Sequence, residues 1–199
     1  MAEIVGPYRG ADSKRRLDVP DAARERLSLA MLADVLTAAV VAGRTRVVTE
    51  DAPARRLAAE LGAEAVSDPG GGQGAAVAAA LAVMQNGVTL VVNADVPCVV
   101  PHDLRSLSGT AELGAAALVE AGDGTTNALA LPDAALFAPL YGAASAARFH
   151  DHFRLLDVTA VSAAIPNLTD DVDTLDDLRR IGLRAGPRTQ AVIGDVLGA

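Results

Sequence analysis

The chain has very little of the residues that build disulfides, thiolate metal sites or aromatic stacking surfaces. Its single cysteine, Cys98, excludes an intrachain disulfide and cannot form a cysteine zinc site alone, so we expect a small buried side chain there. Aromatic residues make up 3% of the chain and tryptophan is absent, which leaves little for stacking on nucleic-acid bases. The core must therefore be filled mainly with alanine, valine and leucine.

Charge and hydrophobic patterning exclude two further classes of protein. The formal net charge of −8 makes nucleic acid, a long polyanion, an unfavourable partner. No segment reaches the roughly 18 uninterrupted apolar residues of a membrane span, and no charged leader precedes an apolar run at the start. With 199 residues, 51% hydrophobic, and no low-complexity stretch, we expect one cytoplasmic domain over 1–199, whose tail 184–199 has no assigned role. The oligomeric state is left open.

Short apolar runs alternate with helical patterns along the first half. We predict strands at 2–5, 46–49, 64–67 and 89–92, helices at 21–41, 53–61 and 75–85, and a polar loop at 6–19. In the second half we predict strands at 115–119 and 128–131 around a loop at 122–127, and helices at 143–155 and 174–181. This order predicts a three-layer α/β/α, Rossmann-like fold with a mostly parallel sheet.

Aspartates follow a buried strand and open a later element. Asp95 closes the β-branched run at 89–92, and ligands collect at the carboxyl ends of strands in open α/β sheets. Asp171 and Asp173, two apart in an extended stretch, project to the same side. If that side meets Asp95, the three carboxylates form a site of the oxygen ligands that Mg²⁺ prefers. Because Mg²⁺ bound in this way usually completes its coordination with substrate phosphates, we expect an enzyme that acts on phosphates. Each aspartate alone is more often a turn or cap residue.

The loop after the first strand carries the only lysine, Lys14, beside Arg15 and Arg16. An ammonium there can hold phosphate oxygens as a point charge, and Arg16 adds a two-pronged donor. The alternative is that Lys14 is an ordinary solvated loop charge. No G-x-x-x-x-G-K-[ST] motif occurs, which excludes the P-loop class.

Three glycine-containing loops are further candidates for ligand contacts. Glycines at 70, 71, 72 and 74 precede a helix, where the backbone and the helix N-terminus can approach an anion or a base; a plain turn is the alternative. Small residues at 122–127 and 141–145 can bind a second phosphate or a carboxylate through Thr126 or Ser145, although Ser145 could equally be an ordinary N-cap.

Several motifs in order resemble the guanylyltransferases of coenzyme F420 biosynthesis, which use 2-phospho-L-lactate or phosphoenolpyruvate and are similar to the molybdenum-cofactor guanylyltransferase. The motifs are K-R-R-L at 14–17, M-L-A-D-V-L at 31–36, N-A-D-V-P at 93–97, G-T-T-N-A-L at 124–129, Y-G-x-x-S at 141–145 and D-V-D-T-x-x-D-L at 171–178. They span most of the chain, from residue 14 to residue 178. The set taken in order is far more specific than any one piece.

The resemblance implies GTP and Mg²⁺, with a phosphate oxygen of the acceptor attacking the α-phosphorus and expelling pyrophosphate. It implies metal ligands at Asp95, Asp171 and Asp173, with Lys14 and Asp95 as catalytic residues. It further implies that the nucleotide is bound by Lys14, Arg16, Gly71, Gly72 and Gly74, and the acceptor by Thr126, Gly142 and Ser145.

The chain departs from the family at Gln73-Gly74 in the glycine turn, at Glu120 and Phe149, and before Lys14, where the usual lysine is missing. The base and the acceptor therefore stay open at this stage. Two alternatives to the guanylyltransferase remain: a nucleotidyltransferase for a molybdopterin or a sugar phosphate, and a degenerate nucleotide-binding protein without catalysis.

Overall fold

The computed structural model describes residues 2–10, 14, 16–84 and 87–198. Within them the strands are β1 Glu3–Pro7, β2 Arg44–Val48, β3 Glu64–Val66, β4 Thr89–Val92, β5 Ala116–Glu120, β6 Thr126–Leu131 and β7 Ala160–Ser162. The helices are α1 Asp21–Ala42, α2 Ala52–Leu61, α3 Gln73–Leu81, α4 Pro101–Glu112, α5 Ser145–Leu155, α6 Pro166–Thr169, α7 Leu175–Ile181 and α8 Pro187–Leu197. Arg15 and the predicted helix end at Gln85 lie outside these residues.

The strands form one sheet in the order β3-β2-β1-β4-β6-β5-β7, and all neighbours are parallel except β6, which is antiparallel to β4 and β5. The chain winds outward from β1 to β3 and then returns to place β4 on the other side of β1. Ligands bind at such a switch point, outside the carboxyl ends of the two central strands. The residues that follow β1 and β4 are therefore brought to the same edge of the sheet.

Helices cover each face of the sheet, which confirms the predicted three-layer fold. On one face, α1 and α4 pack on side chains such as Ile4 and Leu90. On the other face, α3 and α5 pack on Val5 and Val91, which alternate with the first pair along the strands. Four of the five aromatic residues form a single cluster on this second face: Phe137, Tyr141, Phe149 and Phe153.

The C-terminal segment, which the sequence left unassigned, ends in α8, and α8 packs against α1. Asp34 of α1 is buried and accepts hydrogen bonds from the backbone N–H groups of Arg188 (3.1 Å) and Thr189 (2.8 Å) at the start of α8. Gly186 is needed at the junction, since a Cβ there would lie 2.3 Å from Cγ of Asp34. One helix thus supplies the N-terminal cap of another.

Other sequence predictions were met in part. The strand and helix order of the first half is confirmed with shifts of a few residues at the ends, and Cys98 is buried. The loop predicted at 122–127 is wrong at its end, because Thr126 and Asn127 begin β6. Helices α4 and α6 and strand β7 were not predicted. No helix within the described ranges has the length and apolarity needed to cross a membrane.

Candidate active site

The predicted carboxylates meet at the end of β4 because one hydrophobic residue holds their segment in place. Val172 is fully buried with Leu178 and Cys98, and its N–H donates to the carbonyl of Asp95 at 3.0 Å. Since side chains alternate along extended backbone, burying Val172 turns Asp171 and Asp173 away from this hydrophobic cluster, toward Asp95. The D-V-D spacing therefore places Asp171 and Asp173 on the same side, as predicted from the sequence.

Asp95, Asp171 and Asp173 each offer one carboxylate oxygen such that all three atoms lie within 4.8 Å of one another. Burial, reinforced by the negative charges of Asp95 and Asp173, raises the pKa of Asp171 to about 6. Within the described part of the chain, the buried Oδ1 of Asp95 has no hydrogen-bond partner. Buried oxygens are normally satisfied, so an unpaired carboxylate oxygen in an acidic cluster suits a bound cation.

Lys14 is buried between two of these carboxylates and is not a solvated loop charge. Its Nζ contacts Oδ2 of Asp95 and lies 2.6 Å from Oδ1 of Asp173. Burial lowers the pKa of Lys14, but the two carboxylates and their hydrogen bonds outweigh it, so the pKa is raised and the ammonium stays charged. Arg16 also contacts Asp173, with a side chain that is 70% exposed. Three carboxylates thus face two cations.

The segment that carries Asp171 and Asp173 is fixed by the start of α7. Thr174 and Asp177 form a capping box, and Asp177 also accepts from the N–H of Asp173 at 3.2 Å. Arg180 donates to Asp177 at 2.9 Å. Although partial burial raises the pKa of Asp177, the hydrogen bonds from Arg180 and Thr174 bring it below its usual value. The capping box therefore holds Asp173 in place from its backbone.

Two cavities meet at the acidic cluster. One, of about 210 Å³, is lined by residues of the β1 end and α1: Pro7, Tyr8, Arg9, Lys14, Ser28 and Met31. The other, of about 170 Å³, is lined mainly by the second half of the chain: Arg16, Asp123, Thr125, Thr126, Asn127, Tyr141, Gly142, Ser145 and Asp171. Gln73, Asn93, Asp95 and Asp173 line both. The cluster therefore lies at the boundary of two binding spaces.

A row of side-chain amides crosses this boundary, and no site role is predicted for these residues from the sequence. Gln73 donates to Oδ1 of Asn93 at 2.7 Å, and the Asn93 amide donates to the carbonyl of Thr126 at 3.2 Å. Asn127 in turn donates to the carbonyl of Thr169 at 3.1 Å, next to the acidic segment. The position of Asn93, directly after β4 and two residues before Asp95, could have indicated that it lies in the site.

The predicted acceptor residues lie together in the second cavity. Thr126 and Ser145 are buried, and the Ser145 hydroxyl donates to that of Thr126 at 3.0 Å. Gly142 has φ of +111°, a conformation that favours glycine, and its carbonyl accepts from the N–H of Ser145 at 3.0 Å. Ser145 is the first helical residue and Ala144 is the N-cap, so the N-cap alternative for Ser145 was wrong.

The glycine turn is placed differently from the expectation. Gly71, Gly72 and Gly74 line neither of these two cavities, whereas Gln73 lines both. Glycine is required at position 74 for packing, because a Cβ there would lie 2.6 Å from Cβ of Pro139. Gly72 is the N-cap of α3 with φ of +95°. Contacts of these glycines with a nucleotide stay a prediction.

A parallel-rich α/β fold with two cavities around an acidic cluster fits a nucleotidyltransferase. The chain belongs to the MobA-like NTP transferase domain family, whose model matches residues 21–161. That match includes Asp95 but stops short of Asp171 and Asp173 and begins after Lys14. The site is therefore completed by segments on either side of the matched region.

Similar proteins with assigned names point to one kind of nucleotidyltransferase. A phosphoenolpyruvate guanylyltransferase of Streptomyces scabiei (strain 87.22) is 38% identical, over 97% of this chain and 94% of the relative. That of Streptomyces coelicolor is also 38% identical, over 98% of this chain and 96% of the relative. A solved chain from Desulfovibrio desulfuricans G20, provisionally described as a nucleotide-diphospho-sugar transferase, has a TM-score of 0.78 at 16% identity and covers 100% of this chain and 96% of its own. The structural likeness supports the fold alone.

Proposed function

We propose that this protein transfers GMP from GTP to a three-carbon phospho-acid, phosphoenolpyruvate or 2-phospho-L-lactate, and releases pyrophosphate, as a step of coenzyme F420 biosynthesis. The observation that carries the proposal is the position of Asp95, Asp173 and Lys14 at the boundary of two cavities. The guanylyltransferase names of the relatives supply the base and the acceptor class.

The acidic cluster fits a divalent cation, and Mg²⁺ is the ion that we propose. Asp95, Asp171 and Asp173 would hold it, since their oxygens lie within 4.8 Å of one another and the buried Oδ1 of Asp95 has no other partner among the described residues. Such an ion supplies charge neutralisation for the triphosphate. Carboxylates are the hard oxygen donors that Mg²⁺ prefers over softer ligands.

The proposed reaction needs no nucleophile from the protein. A phosphate oxygen of the acceptor forms a bond to the α-phosphorus of GTP, while the bond between that phosphorus and the α,β-bridging oxygen breaks and pyrophosphate leaves with the electron pair. The work left for the chain is to align the two substrates and to offset charge. Lys14 and Arg9 are the cations that line the 210 Å³ cavity proposed for the triphosphate, whereas Arg16 lines the acceptor cavity and Gln73 lines both.

The acceptor space favours a small anion. Its volume is about 170 Å³, and Thr126, Ser145 and Gly142 contribute small polar groups and backbone to its wall. Tyr141 is the one aromatic residue among its lining side chains, and its ring packs on Phe137 and Phe149 at 6.2 and 5.3 Å between centroids, so this wall offers a pterin little aromatic surface. We therefore favour the phospho-acid over a molybdopterin or a sugar phosphate.

The test is a product screen with purified protein and Mg²⁺. GTP, ATP and CTP would each be incubated with phosphoenolpyruvate, 2-phospho-L-lactate, a hexose 1-phosphate and a molybdopterin, and the products identified by mass spectrometry with release of pyrophosphate measured in parallel. We expect a guanylated three-carbon acid as the main product. Transfer to the sugar phosphate or the pterin, with neither phospho-acid used, would contradict the proposal.

A further inference from the structure

The position of Lys14 poses a question that the proposed function does not answer. Its ammonium contacts Asp95 and Asp173, two of the three residues that would hold the cation. A lysine that serves the triphosphate is thus bound to the carboxylates instead. A divalent cation and this ammonium would therefore compete for the same carboxylate oxygens.

Charge makes that competition costly for a free metal ion. Three carboxylates face Lys14 and Arg16, so one uncompensated negative charge remains to attract a divalent cation. The Lys14 side chain is only 7% exposed, so an ammonium displaced from the carboxylates would stay buried without an anion. A free cation can enter only by leaving this lysine unpaired or by sharing the carboxylates with it.

A nucleoside triphosphate removes this obstacle. Lys14 lines the 210 Å³ cavity on the side away from the acceptor space, together with Tyr8 and Arg9. A triphosphate in that cavity brings several negative charges within reach of the displaced ammonium. The metal ion and Lys14 would then each have anionic partners, which makes binding of the metal and of the nucleotide mutually favourable.

We propose that Lys14 makes this seat select a divalent cation already paired with a nucleoside triphosphate over the free ion. Without a cation, Lys14 is the counter-ion of the carboxylates; with the cation and the nucleotide bound, it contacts the triphosphate instead. The inference rests on the proposed function, since it takes the acidic cluster as the metal seat. It adds a specificity role for Lys14 that a simple phosphate contact does not require.

The test measures Mn²⁺ binding by electron paramagnetic resonance of the free ion, with and without an α,β-methylene analogue of GTP. Lys14→Met keeps the length of the buried stem and removes the charge; Lys14→Gln is a second, polar variant. We expect Lys14→Met to bind Mn²⁺ about tenfold more tightly than the wild type when no nucleotide is present. The gain in Mn²⁺ affinity on adding the analogue should shrink by a similar factor.

Arg16→Met is the matched control, because it removes a positive charge from the same carboxylate, Asp173, but from an exposed side chain. We expect its Mn²⁺ affinity to change by less than about threefold, as for a screened surface charge. Unchanged or weaker Mn²⁺ binding in both Lys14 variants would overturn the inference, and so would an equal gain in Arg16→Met.

The inference and the proposed function fail in different ways. If the wild type forms the guanylated product but the Lys14 variants bind free Mn²⁺ no more tightly, the selection role is wrong and the proposed function stands. If the wild type neither forms product nor binds Mn²⁺ with the analogue, both are wrong. Thermal melts of each variant in parallel identify any loss of fold.

Discussion

Lys14 and Arg46 are both buried cations that contact two carboxylates, but they lie in different parts of the sheet. Arg46 is within β2, its side chain is 4% exposed, and its partners Glu3 and Glu64 are the first residues of the neighbouring strands β1 and β3. Lys14, 7% exposed, lies in a loop beyond the strand ends and contacts residues from two other loops.

The two sites differ in how completely their charges are balanced. Around Arg46, two carboxylates face its guanidinium, and the outer one, Glu64, is 55% exposed and also lies 3.5 Å from Arg44, so solvent and a second cation stabilise its charge. Around Lys14, a third carboxylate, Asp171, has its pKa raised to about 6 by burial and by Asp95 and Asp173, and the buried Oδ1 of Asp95 has no partner in the described chain. A buried ion pair alone is weak evidence of function, because structural ion pairs produce the same kind of contact. Unbalanced buried charge beside a cavity is stronger evidence.

The largest expected effect comes from the acidic cluster. Asp95→Asn and Asp173→Asn each remove one carboxylate charge with little change in volume, so turnover should fall by about three orders of magnitude, or ~4 kcal/mol. Melting temperatures should stay close to wild type, because the loss of one carboxylate reduces the repulsion among the three negative charges. Steady-state kinetics and thermal melts measure the two effects.

The matched control for the acidic cluster is Asp176→Asn, which changes a carboxylate paired with Arg179 at 2.7 Å on the outside of α7. We expect wild-type turnover from it. Near-normal turnover in Asp95→Asn and Asp173→Asn would show that the unbalanced charge is structural, and the contrast between the two sites would be lost.

Arg46→Met should show the opposite pattern. Removing one partner of a buried pair leaves Glu3 uncompensated, so the free energy of unfolding should fall by about 3 kcal/mol, while the activity of the folded protein is kept. Urea denaturation followed by circular dichroism gives the first quantity, and product formation at low temperature gives the second. A loss of activity with full stability would place Arg46 in the functional region instead.

Arg44→Met is the control for that experiment. Arg44 faces the same Glu64 at 3.5 Å, but its side chain is 58% exposed. Such a pair is screened by solvent, so we expect a change within about 0.5 kcal/mol. An equal loss in the two variants would mean that burial is not what distinguishes Arg46.

The smallest expected effect comes from Ser145 and tests whether the acceptor cavity binds its substrate separately from the nucleotide. Ser145→Ala removes the hydroxyl that donates to Thr126, and the KM for the phospho-acid should rise about tenfold, or ~1.4 kcal/mol, with the KM for GTP nearly unchanged. Ser108→Ala, a buried serine on α4 away from the cavity, should change neither constant. Equal changes in the two KM values of Ser145→Ala would argue against a separate acceptor space.

Much of this site could be predicted because its residues follow local rules. Asp95 closes a β-branched run, and Asp171 and Asp173 alternate with the buried Val172, so strand geometry alone turned them to one side. The capping box of Thr174 and Asp177 is also a local pattern, and the structure has it. Prediction failed where partners are far apart in sequence, as for the amides of Gln73 and Asn93.

The sequence by itself determined the strand and helix order of the first half, the three-layer class and the acidic residues, because periodicity and strand ends are set by neighbours along the chain. Only the tertiary structure decided that Lys14 is buried against Asp95 and Asp173, and that Asp34 caps a helix 154 residues away. Such contacts depend on which loops the sheet order brings together. Burial then sets their strength, since a charge removed from water must find a partner of opposite sign.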